Sequence, residues 1–136
     1  MIKMETENDN SGRIIGSLDN SRGYKAFVQV EIRGEQYLSV VNTFFYRHDD
    51  ALRNALEEHG ISDYRLRGDG LPAQKGENYS MTGAGMMAVN PDKRYEKQIF
   101  YSGGYDAYLL VPDRENLEAL LAEELPDWTV EYKGLD

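Results

Sequence analysis

The chain predicts an α+β domain: one mixed, largely antiparallel sheet, two helices on one of its faces, and two ββαβ-like halves. Two observations carry this prediction. The first is a stretch from Pro112 to Tyr132 that reads as helix then strand, and the second is its repetition in plan between Tyr46 and Leu66.

Within 112–132, Asp113 is a natural N-cap for backbone N–H groups, and Arg114-Glu115-Asn116 open a helix behind it. Leu117, Leu120, Leu121 and Leu125 fall on one helical face, with Glu115, Glu118, Glu123 and Glu124 on the others. Pro126 ends the helix by pushing its predecessor out of α geometry. Trp128, Val130 and Tyr132 then alternate with polar residues at the period of a strand, as do Tyr105, Ala107, Leu109 and Val111 upstream. The earlier copy matches. Leu38, Val40, Phe44 and Tyr46 alternate, Asp49 or Asp50 caps, and Ala51, Leu52, Ala55 and Leu56 form the stripe. Gly60 then stops the helix and Asp63-Tyr64-Arg65-Leu66 echoes Asp127-Trp128-Thr129-Val130. Hairpin signals precede both units, at Gly34-Glu35 and at Gly103-Gly104. Packing both helices on one face of a shared sheet is the simplest burial of these stripes.

In chain order, residues 1–12 are polar and read as a disordered tail, leaving 13–136 as the domain. Arg13-Ile14-Ile15 reads as the start of an edge strand. Tyr24, Ala26, Val28, Val30 and Ile32 alternate cleanly, and Gly34 suits the first central position of a type II′ turn. Phe27, Tyr37, Val41 and Phe45 make the second sheet face apolar, so the termini, the long loop or a second copy in a homodimer is expected to cover it. Gly68 to Lys97, with five glycines and two prolines, reads as turns, with a strand inside Ser80–Val89.

Composition excludes several classes of function. With 136 residues and no cysteine, the chain has room for one core and no thiol chemistry. The net charge of −9 opposes binding to nucleic acid or anionic lipid and suits a basic protein partner. No apolar run approaches the roughly 20 residues of a membrane span, so a cytoplasmic protein without cofactor is expected.

His48, at a strand-to-helix junction, is the first candidate for chemistry, since unpaired helix N–H groups draw anions there. His59, in the last turn of its helix, reads as a C-terminal cap. The two histidines lie 11 residues apart, which is no metal spacing, so no metal is expected. Gly83-Ala84-Gly85 and Ser102-Gly103-Gly104 read as turns rather than phosphate loops, lacking any dinucleotide or Walker pattern. The reading that follows is a non-enzymatic binding module, of the kind used by immunity or inhibitor proteins to mask a basic partner. Tyr79, Tyr95, Tyr101, Tyr105 and Tyr108 are its expected surface anchors.

Tyr24-Lys25 opening a strand, and Pro126-Asp127-Trp128-Thr129-Val130-Glu131-Tyr132 at the end, give a layout that resembles the Janus (phosphohistidine phosphatase) family. That family carries a lysine on its first strand, a catalytic histidine near its first helix, and a Gly-Tyr-Ser-Met-Ala-Tyr-Gly-like phosphate loop. The resemblance implies Lys25, His48 and Ser102 as catalytic residues of a phosphoryl-transfer enzyme, the alternative to the binding module. The matching loop here, Phe100-Tyr101-Ser102-Gly103-Gly104-Tyr105, keeps the Tyr-Ser pair of that motif.

Overall fold

A computed structural model describes residues 12–18, 24–44, 46–89, 97–103 and 108–134. Its elements are β1 (Ile14–Ile15), β2 (Lys25–Ile32), β3 (Glu35–Asn42), α1 (His48–Glu58), β4 (Tyr79–Val89), β5 (Gln98–Ser102), α2 (Arg114–Glu124) and β6 (Thr129–Tyr132). The strands form one mixed sheet in the order β1-β3-β2-β4-β5-β6, antiparallel through its centre and parallel at both outer pairs. The fold is α+β, as the sequence predicts. The expected N-terminal tail, and residues 45, 95 and 104–107, lie outside the described residues except for Gly12.

The two helices sit on opposite faces of the sheet, which corrects the expectation of a shared face. Ala26, Val28, Val30, Ile32, Val41, Met81 and Ala84 pack with Ala51, Leu52, Ala55 and Leu56 of α1. Phe27, Leu38, Val40, Met87, Val89, Ile99 and Tyr101 pack with Leu117, Leu120 and Leu121 of α2. The cause lies in the connections. Parallel crossovers are right-handed, so two symmetric strand-helix-strand halves would bring both helices to one side. Among the described elements, only β5-α2-β6 is such a crossover. Residues 61–65 form no strand, and Leu66 makes only an isolated bridge to Pro72. The place beside β3 belongs to β1 instead, pairing Ile14 with Leu38 and Ile15 with Ser39. With no strand to reach beyond it, α1 covers the face that α2 leaves open. The second apolar face expected from Phe27, Tyr37 and Val41 is not one surface: Phe27 packs under α2, whereas Val41 and Tyr37 pack on the α1 side.

Local chemistry explains the remaining differences. The β2–β3 hairpin turns on Arg33 and Gly34, with φ of 51° and 88°, and joins Ile32 directly to Glu35. Positive φ at both central residues is type I′ geometry rather than II′. The N-cap of α1 is Arg47, whose N–H donates to the Asp50 carboxylate at 2.9 Å. Asp113 caps α2 as expected, accepting from the Asn116 N–H at 3.5 Å. Residues 108–113 form no strand; the Val111 carbonyl accepts from Ala84 N–H, and β5 is the strand that precedes α2.

β4, with 11 residues, is the longest strand among the described residues. Its register against β2 shifts between Gln29 and Val30, so that Gly83 faces Gln29 and Met81 faces Val30, leaving Thr82 as the extra residue of a bulge. That residue keeps Met81 and Ala84, three apart, on the α1 face. A Cβ on Gly83 would lie 2.4 Å from Gln29 Oε1 and 2.9 Å from Asp113 N. Gln29, almost fully buried, fills that space and holds both main-chain groups of Asp113. Its Nε2 donates to the carbonyl at 3.0 Å, and its Oε1 accepts from the N–H at 2.9 Å. The start of α2 is thereby fastened to the sheet.

Candidate functional site

Where β2 begins and β3 ends, the chain turns through 43–47 into α1, and a cleft of about 660 Å³ opens at this corner. Its floor is Ala26, Met86 and His48. Its walls are Thr43, Tyr46, Arg47 and Asp49 on one side, and Arg67, Asp69, Leu71 and Leu109 on the other. Cavities of this size suit small organic ligands.

His48 is the first residue of α1 and only 8% exposed. Its Nε2 lies 2.9 Å from the Gly85 carbonyl on β4. A carbonyl can only accept, so Nε2 is the donor, and Nδ1 is the ring nitrogen that this bond leaves over. Gly85 permits this close packing of β4. A Cβ there would meet the Ser102 carbonyl at 2.4 Å and the Phe27 ring at 2.9 Å.

The acids of the cleft are already matched. Asp49 pairs with Arg53 at 2.8 Å, and Asp69 pairs with Arg67 at 2.6 Å. Desolvation raises the Asp69 carboxyl somewhat, but the Leu71 N–H and the Arg67 guanidinium win and hold it below the ordinary carboxylate range. Arg67 also lies over the Tyr108 ring, 5.0 Å from its centroid. Arg47 makes no ion pair among the described residues, so its guanidinium is the cleft charge without an ion-pair partner there, although the lining arginines and aspartates balance in number.

The mouth carries apolar side chains that meet water. Tyr24, Phe44, Tyr46 and Leu109 are 61%, 71%, 51% and 84% exposed. Tyr46 and Leu109 line the cleft itself. The Tyr24 carbonyl accepts from both the N–H and the Oγ1 of Thr43, which sets Tyr24 and Phe44 at the same rim. Sequence patterning placed Phe44 and Tyr46 inside a strand and so missed them. The turn that releases them is marked only by Asn42, whose Oδ1 accepts from the Phe44 N–H at 2.8 Å.

Of the residues expected to do chemistry, His48 occupies the cleft and the other two do not line it. Lys25 is 4% exposed and pairs across the ladder with Met87 and Asn42, so strand alternation puts its side chain on the α2 face. Ser102 faces Met86 from β5, on the same side of the sheet as His48.

The expected surface tyrosines need correction. Tyr79, Tyr101 and Tyr108 are buried, each with its hydroxyl satisfied inside: Tyr79 donates to Ala73 O at 2.7 Å, Tyr108 to Pro72 O at 2.9 Å, and Tyr101 to the Glu118 carboxylate. Burial, then the Glu118 carboxylate, pushes the Tyr101 phenol up to about 12 against the opposing pull of Arg114. Tyr95 and Tyr105 lie outside the described residues. His59 caps the end of α1, its Nδ1 donating to Ala55 O at 2.9 Å, with its ring against Tyr37. Among the described residues no three metal-ligating side chains gather, and no helix is long and apolar enough to cross a membrane.

No family model matches the chain, and no curated protein matches it.

Proposed function

We propose that the chain is a non-enzymatic binding module that holds a protein partner at the corner of the sheet where α1 begins. The observation that carries this reading is a set of four large, more than half exposed apolar side chains at this corner: Tyr46 and Leu109 line the cleft, and Tyr24 and Phe44 adjoin Thr43, which also lines it. Water-exposed aromatics beside a concavity are the usual anchors of an interface. The −9 charge would speed the approach of a basic partner and make association salt-dependent. A masking role, as in immunity or inhibitor proteins, needs that combination of steering and anchoring.

The test uses the double variant Phe44→Ser, Tyr46→Ser, whose sites are exposed enough to leave the fold intact. Chemical cross-linking in the native host should trap a basic protein on the wild type and lose it with the variant. A wild type that traps nothing at low and moderate salt, or a variant that traps the same protein, ends the reading.

A second reading is favoured by one observation, the bond between His48 Nε2 and the Gly85 carbonyl. A buried imidazole with Nε2–H committed to a carbonyl presents Nδ1 as a nucleophile or base. This supports phosphoryl transfer through His48 beside the glycine-rich strand Gly83-Ala84-Gly85; the set His48, Lys25 and Ser102 that the Janus resemblance implies does not carry it, because Lys25 lies on the other face of the sheet. Phosphate release from phosphoramidate by the wild type, abolished in His48→Gln, is the expected result. A wild type without such release removes the reading.

A further inference from the structure

Leu109 is an unusual residue for its place. Its φ is +58°, a left-handed conformation that a branched apolar side chain rarely takes, and its side chain is almost wholly in water. Among the described residues two other non-glycine residues share a positive φ, and both are long, polar and at element boundaries: Arg33 in the hairpin turn and Lys97 just before β5. The chain holds Leu109 in position from both sides. Tyr108 is buried with its hydroxyl on Pro72 O, and Leu110 packs against the α1-side core. Backbone strain and an exposed apolar group, imposed together at the mouth of a cleft, mark a contact made for something that enters it.

What enters is constrained by the walls. Tyr46, Met86, Leu71 and Leu109 offer an apolar surface, while Arg47 offers a guanidinium with no ion-pair partner among the described residues. The nearby carboxylates of Asp49 and Asp69 are occupied by Arg53 and Arg67. An apolar wall facing an unmatched cation calls for a molecule with an apolar body and an acidic end.

We propose that the His48 cleft binds an amphipathic organic anion, an aryl or alkyl carboxylate or sulfonate, with its body against Leu109, Tyr46 and Met86 and its acid group beside Arg47. His48 lines the same cleft, and with Nε2 committed to the Gly85 carbonyl its Nδ1 is the ring nitrogen left to meet a polar group on the same molecule. This site shares Tyr46 and Leu109 with the protein-docking reading and differs from it in what it takes, a small anion inside the cleft rather than a protein across its mouth.

The experiment titrates the full chain with naphthalene-2-sulfonate and, separately, with the uncharged naphthalene-2-sulfonamide, following backbone and His48 ring resonances by NMR. Saturable shifts confined to the cleft are expected, with the sulfonate bound about tenfold more tightly, the worth of a charge-assisted hydrogen bond. Arg47→Gln should bring the sulfonate down to the affinity of the sulfonamide and leave the sulfonamide unchanged. Leu109→Gly should weaken both probes about fivefold, the loss of part of a leucine's buried surface. The same variant should melt no lower than wild type, since glycine adopts the left-handed conformation freely. Tyr46→Ser supplies an independent variant of the apolar wall and should weaken both probes as well. Shifts that do not saturate, equal affinity for the two probes, or unaltered binding in Leu109→Gly each overturn the proposal. A lower melting temperature in Leu109→Gly also counts against it, because Leu109 would then be held there by packing. A wild type that binds neither probe can still trap a protein in the cross-linking experiment, and one that traps none can still bind the sulfonate, so the two readings fail separately.

Discussion

Replacing His48 tests whether its imidazole is the fastening between α1 and β4 that the geometry describes. In His48→Ala the hydrogen bond to the Gly85 carbonyl disappears, a loss of about 1 kcal/mol net. Removing a ring that is more than nine-tenths buried adds roughly 1–2 kcal/mol, less than a deep-core truncation because the cleft admits water to the space. The expected cost is about 2–3 kcal/mol. An unfolding entropy of roughly 2.1 cal/mol/K per residue, taken over 136 residues, converts this to a fall in Tm of about 7–10 °C. His48→Gln behaves differently, because the glutamine amide nitrogen reaches the position of the imidazole Nε2 and can donate to the same carbonyl. Its cost should stay near 1 kcal/mol. Urea unfolding followed by circular dichroism measures both. Equal losses in the two variants, or a loss below about 0.5 kcal/mol in His48→Ala, would refute the claim that the Nε2 bond positions this side chain.

Three further outcomes follow from the packing around the site. Gly85→Ala brings a methyl group against the Ser102 carbonyl and the Phe27 ring, and should lower stability by about 1–3 kcal/mol in urea titrations. Gln29→Leu removes both bonds to the Asp113 main chain inside a buried site, at about 2–4 kcal/mol, and should speed amide exchange in the first turn of α2 before any other element. The Tyr101 phenol, at about 12 when folded against 10.0 when free, holds its proton more tightly in the folded state. Its stabilising effect is therefore whole below pH 10 and lost as pH rises from 10 towards 12, a slope that Tyr101→Phe should lack.

The elements that sequence periodicity revealed are those whose burial is decided locally. α2 needed only its leucines at helical spacing, a capping aspartate and a terminating proline, all adjacent in the chain. The alternation of β2 survived because each of its faces meets a helix, and the pattern stays regular from Ala26 to Ile32. β4 was obscured because its glycines resemble turn residues when read without their neighbours. Gly83 and Gly85 are small because Gln29, Asp113, Ser102 and Phe27 occupy the space a side chain would take, and those partners lie 17 to 58 positions away in sequence. The tyrosines misled for a related reason. A phenol is as well served by a buried carbonyl as by water, and only the fold shows that Ala73, Pro72 and Glu118 supply the acceptors.

The helix faces and the candidate site share one cause for being hard to read. A doubled strand-helix-strand plan carries its own handedness, and that handedness would have set α1 beside α2. The two-residue β1 breaks the plan by taking the edge beside β3, so the chain after α1 is free to run across the sheet end instead of along it. That freedom brings Arg67, Asp69 and Leu71 over the start of α1, where Arg53 reaches the Gly70 carbonyl at 3.4 Å while pairing with Asp49. The far wall of the cleft is therefore made of the very residues that a symmetric reading assigns to the end of a strand and the loop beyond it. His48 could be singled out because a histidine at a strand-to-helix junction is informative by itself. Its neighbours across the cleft could not, because their arrival depends on which strand, β1 or residues 63–66, wins the edge of the sheet. On this argument the cleft exists because the repeat is imperfect, and weakening β1 with Ile14→Gly should open the cleft wall as well as the sheet edge. The amides of Leu66 to Leu71 would then exchange faster than in wild type, whereas protection unchanged in that segment would separate the loop's placement from the strand that displaced it.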